Sequence, residues 1–63
     1  MTEQHEVATQ LEAEMKERGL KRANVLSEAG VSRATFWRWL RGISEPRKAS
    51  VTAIRHAIDR LAS

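Results

Sequence analysis

Gly19, Gly30, Gly42 and Pro46 are the only glycines and the only proline in the chain, and they cut it into four segments. Within each segment apolar residues recur at helical spacing, and no stretch of four or more residues alternates convincingly with the period of a strand. The chain therefore reads as all-α, a compact bundle of four helices, or five, in one domain over residues 1–63. The first helix is expected over about 3–18, with Thr2 as N-cap, Glu3 in the first turn, a stripe of Val7, Leu11 and Met15, and Gly19 beyond its end. Val25, Leu26 and Ala29 give the second helix one face over about 22–29, closed by Gly30. Ser32 is the expected N-cap of a third helix over about 33–41, which stops at Gly42. Val51, Ile54, Ala57, Ile58 and Leu61 share one face of a fourth over about 48–62. The first turn of that helix is weakly specified, because Arg47 and Lys48 sit near a positive helix end.

The interval between the second and third segments is the most informative. A single Gly followed by Val-Ser joins two short helices, which is the connection expected of a helix-turn-helix. A domain of 63 residues buries only roughly 60% of the surface of its unfolded chain. With no cysteine, that thin core has no disulfide, and no thiolate can hold zinc or attack a substrate. No apolar run approaches the roughly 20 residues that span a bilayer. The stretch MTEQHEVATQ is acidic and polar, unlike a secretory signal. The expectation is a soluble protein of the cytoplasm with no membrane association. His5 and His56 lie far apart in sequence, and only Asp59 stands near His56, too few ligands for a metal site. Ser50, His56 and Asp59 lie on or near one helix and cannot converge as a triad must. No catalytic residue, metal, cofactor or small-molecule ligand is expected.

Charge is unevenly spread. Residues 1–15 hold four acids and no Lys or Arg, whereas residues 16–63 hold all eleven bases and four acids. That asymmetry suggests a polyanion partner for the later part. It is sharpest in GVSRATFWRWLRG, residues 30–42, which contains Phe36, Trp37 and Trp39, all the aromatic residues of the chain. On a helical wheel Phe36, Trp39 and Leu40 fall on one side, and Ala34, Trp37, Arg38 and Arg41 on the other, with Arg33 at the N-terminal end. Phe36 and Trp39 are therefore expected in the core. The outer face suits the major groove of DNA. An arginine fork can bond guanine O6 and N7 together, and an alanine methyl can touch the thymine methyl. A helix shaped only by solubility would mix signs, yet no Asp or Glu occurs between residues 29 and 44. Trp37 offers one donor and a large flat face, which suits packing or sugar-phosphate contact better than base reading. Lys48, at the start of the fourth helix, is expected on a phosphate, where free N–H groups and the helix dipole also favour an anion.

The sequence resembles the lambda-repressor-like (Cro/CI, XRE) helix-turn-helix family, of the small phage or mobile-element type. The matching residues run from about Gly19 to Leu61: Gly19-Leu20, Val25, AGVS at 29–32, Thr35-Phe36, Arg38-Trp39, Gly42-Ile43 and Pro46. The resemblance implies a core of Val25, Ala29, Val31, Phe36, Trp39 and Ile43. It implies base contacts from Ser32, Arg33, Ala34 and Arg38, and phosphate contacts from Arg22, Arg41 and Ser44. Three positions depart from the family pattern. Lys21 stands where a Ser or Thr usually caps the second helix. Leu26 takes a position that favours Ala, so either the helices cross more widely or Leu26 turns outward. Leu40 replaces a common Glu. The chain also stops before the fifth helix that often builds the family's dimer. An excisionase-like module shares the SRATFWRW style, but would continue into a β-wing where VTAIRHAIDRLA reads as helix.

The function expected is a sequence-specific regulator, a repressor that binds a short palindrome on double-stranded DNA as a homodimer, in a bacterial cell or a phage-infected host. The outer side of the fourth helix is the favoured pairing surface, since pairing two acidic first helices would oppose like charges. The alternative is a protein-interaction module, antitoxin-like or adaptor-like, on a helix-turn-helix scaffold.

Overall fold

The computed structural model describes residues 3–63, with side chains from Glu6 onward; Thr2, the expected first cap, lies outside the described residues. Four helices follow one another: α1 (Glu3–Glu17), α2 (Arg22–Ala29), α3 (Arg33–Leu40) and α4 (Lys48–Ala62). Among the described residues there is no strand. The bundle measures 32 × 21 × 17 Å. The two long outer helices do the clamping, because α2 lies mainly on α4 while α3 lies mainly on α1. Helix α3 is thus backed by α1, and its other side is left open.

The core is one cluster: Ala8, Leu11 and Met15 from α1, Val25 and Leu26 from α2, Phe36 and Trp39 from α3, and Ile54, Ala57 and Ile58 from α4. Phe36 and Trp39 meet edge to face, with centroids 5.8 Å apart and ring planes at 65°, an arrangement aromatic quadrupoles favour. Leu26 is buried, so it does not turn outward. Ala8, outside the expected stripe, is buried more completely than Val7 beside it.

Three helices stop in the same way. Gly19, Gly30 and Gly42 all have positive φ, and the residue after each donates back five residues: Leu20 to the Met15 carbonyl, Val31 to Leu26 and Ile43 to Arg38. This is the Schellman ending, in which the residue after the glycine usually makes an apolar contact with the residue whose carbonyl it bonds. Leu20 faces Met15 and Val31 faces Leu26, both buried partners, and both residues pack on the core. Ile43 faces Arg38 instead and remains 63% exposed, which corrects the expectation that it belongs to the core. Leu61 is likewise exposed, because the buried positions of α4 end at Ile58.

Gly30 has φ of +75° with nothing within 4 Å of where a Cβ would sit, so the only obstacle to a side chain there is backbone conformation. Gly30→Ala is expected to lose about 1–2 kcal/mol, read as a lower urea midpoint at unchanged m-value. An unchanged midpoint would mean that the turn tolerates a different backbone.

The helix starts differ. Ser32 Oγ accepts from the Thr35 backbone N–H at 3.1 Å and caps α3. Lys21 and Arg47 precede α2 and α4 without a side-chain cap, since neither side chain carries an acceptor.

Candidate nucleic-acid interface

The sequence can make an outer face on α3 only if Phe36 and Trp39 anchor the inner one, and both are buried. That anchoring turns two rows of residues outward. Arg33, Trp37 and Arg41 are spaced four apart, and Ala34 and Arg38 form the adjacent row; all five are exposed. Residues at this spacing lie one above another on a helix surface. Ser32, exposed at the N-terminal edge of the face, also donates its hydroxyl to Thr35 Oγ1 at 2.8 Å. With the capping contact included, its hydroxyl has only acceptor capacity left for an incoming group.

The folded chain sorts its basic residues into two kinds. Four of the eleven are paired with acids: Arg22 with Glu12, Arg55 with Glu14 at 3.0 Å, Arg60 with Glu28 at 3.0 Å and Arg18 with Asp59 at 4.0 Å. These pairs tie α1, the turn after it, α2 and α4 together, and all are solvent-exposed, so each contributes little to stability. Their larger consequence is to place Glu12, Glu14, Glu28 and Asp59 beside those four bases. Seven bases, Lys16, Lys21, Arg33, Arg38, Arg41, Arg47 and Lys48, make no ion pair among the described residues. Lys16 lies in the last turn of α1 and Lys21 just before α2, and the other five lie between α3 and the start of α4.

Arg22, expected on phosphate, is engaged twice within the fold: it pairs with Glu12, and its guanidinium lies 5.9 Å over the Phe36 ring. To reach a phosphate it must share or leave Glu12. Arg41 is engaged differently, stacked 5.0 Å over the half-exposed Trp37 ring. Arg38 is free of both neighbouring acids along the chain: Glu28 pairs with Arg60, and Glu45 makes no ion pair among the described residues.

Ser44 lies in the connection after α3, where an open cleft is lined by Thr35, Trp39, Ser44, Glu45, Arg47 and Ser50. Lys48 is exposed at the first position of α4. Arg47, which with Lys48 follows Pro46 and was expected near phosphate with it, is exposed just before that helix start and belongs with this group. The expected contact residues thus gather on α3 and at the start of α4, except Arg22 on α2.

Elsewhere the described residues offer little chemistry. No group of three His, Cys, Asp or Glu is placed to hold a metal ion among them. No helix among them is long and apolar enough to cross a membrane. Comparison with protein-family models, with curated proteins and with solved structures finds no match to this chain.

Proposed function

We propose that this chain is a sequence-specific binder of double-stranded DNA, a transcriptional repressor of the lambda-repressor-like helix-turn-helix kind that lays α3 in the major groove. The observation that carries the reading is the clustering of unpaired charge: the exposed face of α3 and the start of α4 hold five of the seven bases that have no acid partner among the described residues. Unpaired arginines need no protein contact broken before they meet phosphate or guanine. In this reading Ser32, Arg33, Ala34 and Arg38 meet base edges. Ser32 acts there as an acceptor, which suits the amino group of cytosine or adenine. Arg41, Ser44 and Lys48 meet the backbone, Trp37 lies under Arg41 on the same exposed face, and Arg22 joins them at the cost of its contact with Glu12.

The largest dimension of one chain is 32 Å, and two recognition helices must enter major grooves about 34–36 Å apart. One copy carries one recognition helix, so filling two successive grooves takes two copies, and in this reading the regulator binds as a homodimer on a palindrome. It works in the cytoplasm of a bacterium or a phage-infected host.

Selection of bound sites from random duplex DNA tests the whole reading. A defined motif with two-fold symmetry is the expected result. A motif without symmetry would remove the homodimer, and the absence of any motif would remove sequence reading. A second reading, a protein-interaction module, is favoured by the exposure of Trp37, Ile43 and Leu61; on that reading selection returns no motif.

Salt dependence separates backbone contacts from base contacts. Arg41→Ala or Lys48→Ala is expected to weaken binding to all duplexes alike and to lower the slope of log K against log salt by about one. Arg22→Ala should lower it by less, because Glu12 already holds that guanidinium. Loss of preference at one base pair would instead assign the residue to base reading.

A further inference from the structure

We infer that Trp37 is a positioning residue: it holds Arg41 as a preassembled clamp for a backbone phosphodiester. This rests on the DNA reading and adds a division of labour within it.

Both ends of Arg41 are fixed on Trp37. The Arg41 backbone N–H donates to the Trp37 carbonyl at 3.0 Å, and the guanidinium carbon lies 5.0 Å from the centre of the indole. A guanidinium carries its five N–H donors at the edge of its plane. A cation–π contact uses the charge of the group and takes no hydrogen-bond acceptor, so it leaves the fork without a polar partner. No acid occupies the edge, since Arg41 makes no ion pair among the described residues. The other stacked arginine shows the contrast: Arg22 lies over Phe36, but its edge already meets Glu12.

The stack also accounts for a large aromatic side chain at an exposed position. Trp37 is 49% exposed on the outer face, while Trp39, two residues on, is buried. The indole therefore adds little to the core. Under Arg41 it restricts a long side chain that would otherwise lose its rotamer freedom only on meeting DNA. The ligand class is a phosphate diester with two free oxygens, matched by the bidentate fork.

A double-mutant cycle on the selected duplex tests the clamp, using the parent, Trp37→Ala, Arg41→Ala and the double variant. Trp37→Ala is expected to weaken binding about 2- to 5-fold, the range for an exposed cation–π contact. It should leave the salt slope nearly unchanged, because the charge remains. In the Arg41→Ala background the same substitution should cost nothing further. Trp37→Phe, which keeps an aromatic face, should recover much of the loss. Equal losses in both backgrounds would overturn the inference, because Trp37 would then act on DNA directly; so would no loss from Trp37→Ala. In the free protein, the Trp37 Nε1–H resonance should move on Arg41→Ala, and a stationary resonance would overturn the stack by itself. A parent protein that binds no duplex would overturn the DNA reading and the clamp with it.

Discussion

Phe36→Ala is expected to remove most of the chain's stability. Phe36 is completely buried, meets Trp39 edge to face, and supports the Arg22 guanidinium on its ring. Truncating a buried Phe or Trp to Ala costs about 3–5 kcal/mol. At about 0.05–0.15 kcal/mol per residue, a chain of 63 residues has only about 3–9 kcal/mol in total. Trp39→Ala should be of the same order, since Trp39 is buried on the same face. At roughly 4–8 °C per kcal/mol in so small a domain, either variant should lose tens of degrees in Tm. Circular dichroism against temperature reads the effect. A variant that melts with the parent would mean that α3 is not held by its inner face.

Arg38→Ala should have the largest effect on recognition. Arg38 is exposed in the last turn of α3 and makes no ion pair among the described residues. On the DNA reading its fork bonds O6 and N7 of one guanine. Its loss should cost about 1–3 kcal/mol on the best site and relax specificity at one position per half-site. Binding to random DNA should fall much less. Arg38→Lys keeps the charge without the fork, so it should restore affinity more than specificity. A site selection repeated with Arg38→Ala that returned the parent motif would remove Arg38 from the reading face.

The helices were legible because each is punctuated locally. Glycine at the ends of α1, α2 and α3, and Ser32 at the start of α3, mark boundaries that depend only on neighbouring residues. The inner face of α3 was legible from the three-residue spacing of Phe36 and Trp39. Ile43 was not, because its burial depends on whether the residue five before it is apolar, and there it is Arg38. Ala8 was missed because a small side chain is buried by the approach of a neighbouring helix, which a wheel for α1 alone does not contain. Leu26 needed the same knowledge of how α2 meets its neighbours. Among the candidate contact residues, the exposed row on α3 followed from the wheel. The pairing of Arg22 with Glu12 did not, since the two lie ten residues apart on different helices.

Helix α3 is fastened at both ends before any partner arrives. Ser32 bonds the first turn through Thr35, and the N–H groups of Gly42 and Ile43 close the last on the carbonyls of Trp39 and Arg38. Eight residues would be a marginal helix alone, yet here neither terminus is left to fray. A ligand that docks on this helix therefore meets a rigid body rather than a segment that must order itself. The entropy of ordering is spent during folding, so the encounter has no slow rearrangement to wait for. The heat-capacity change of binding then reports dehydration of the contact alone, without the added share of a chain folding onto its target.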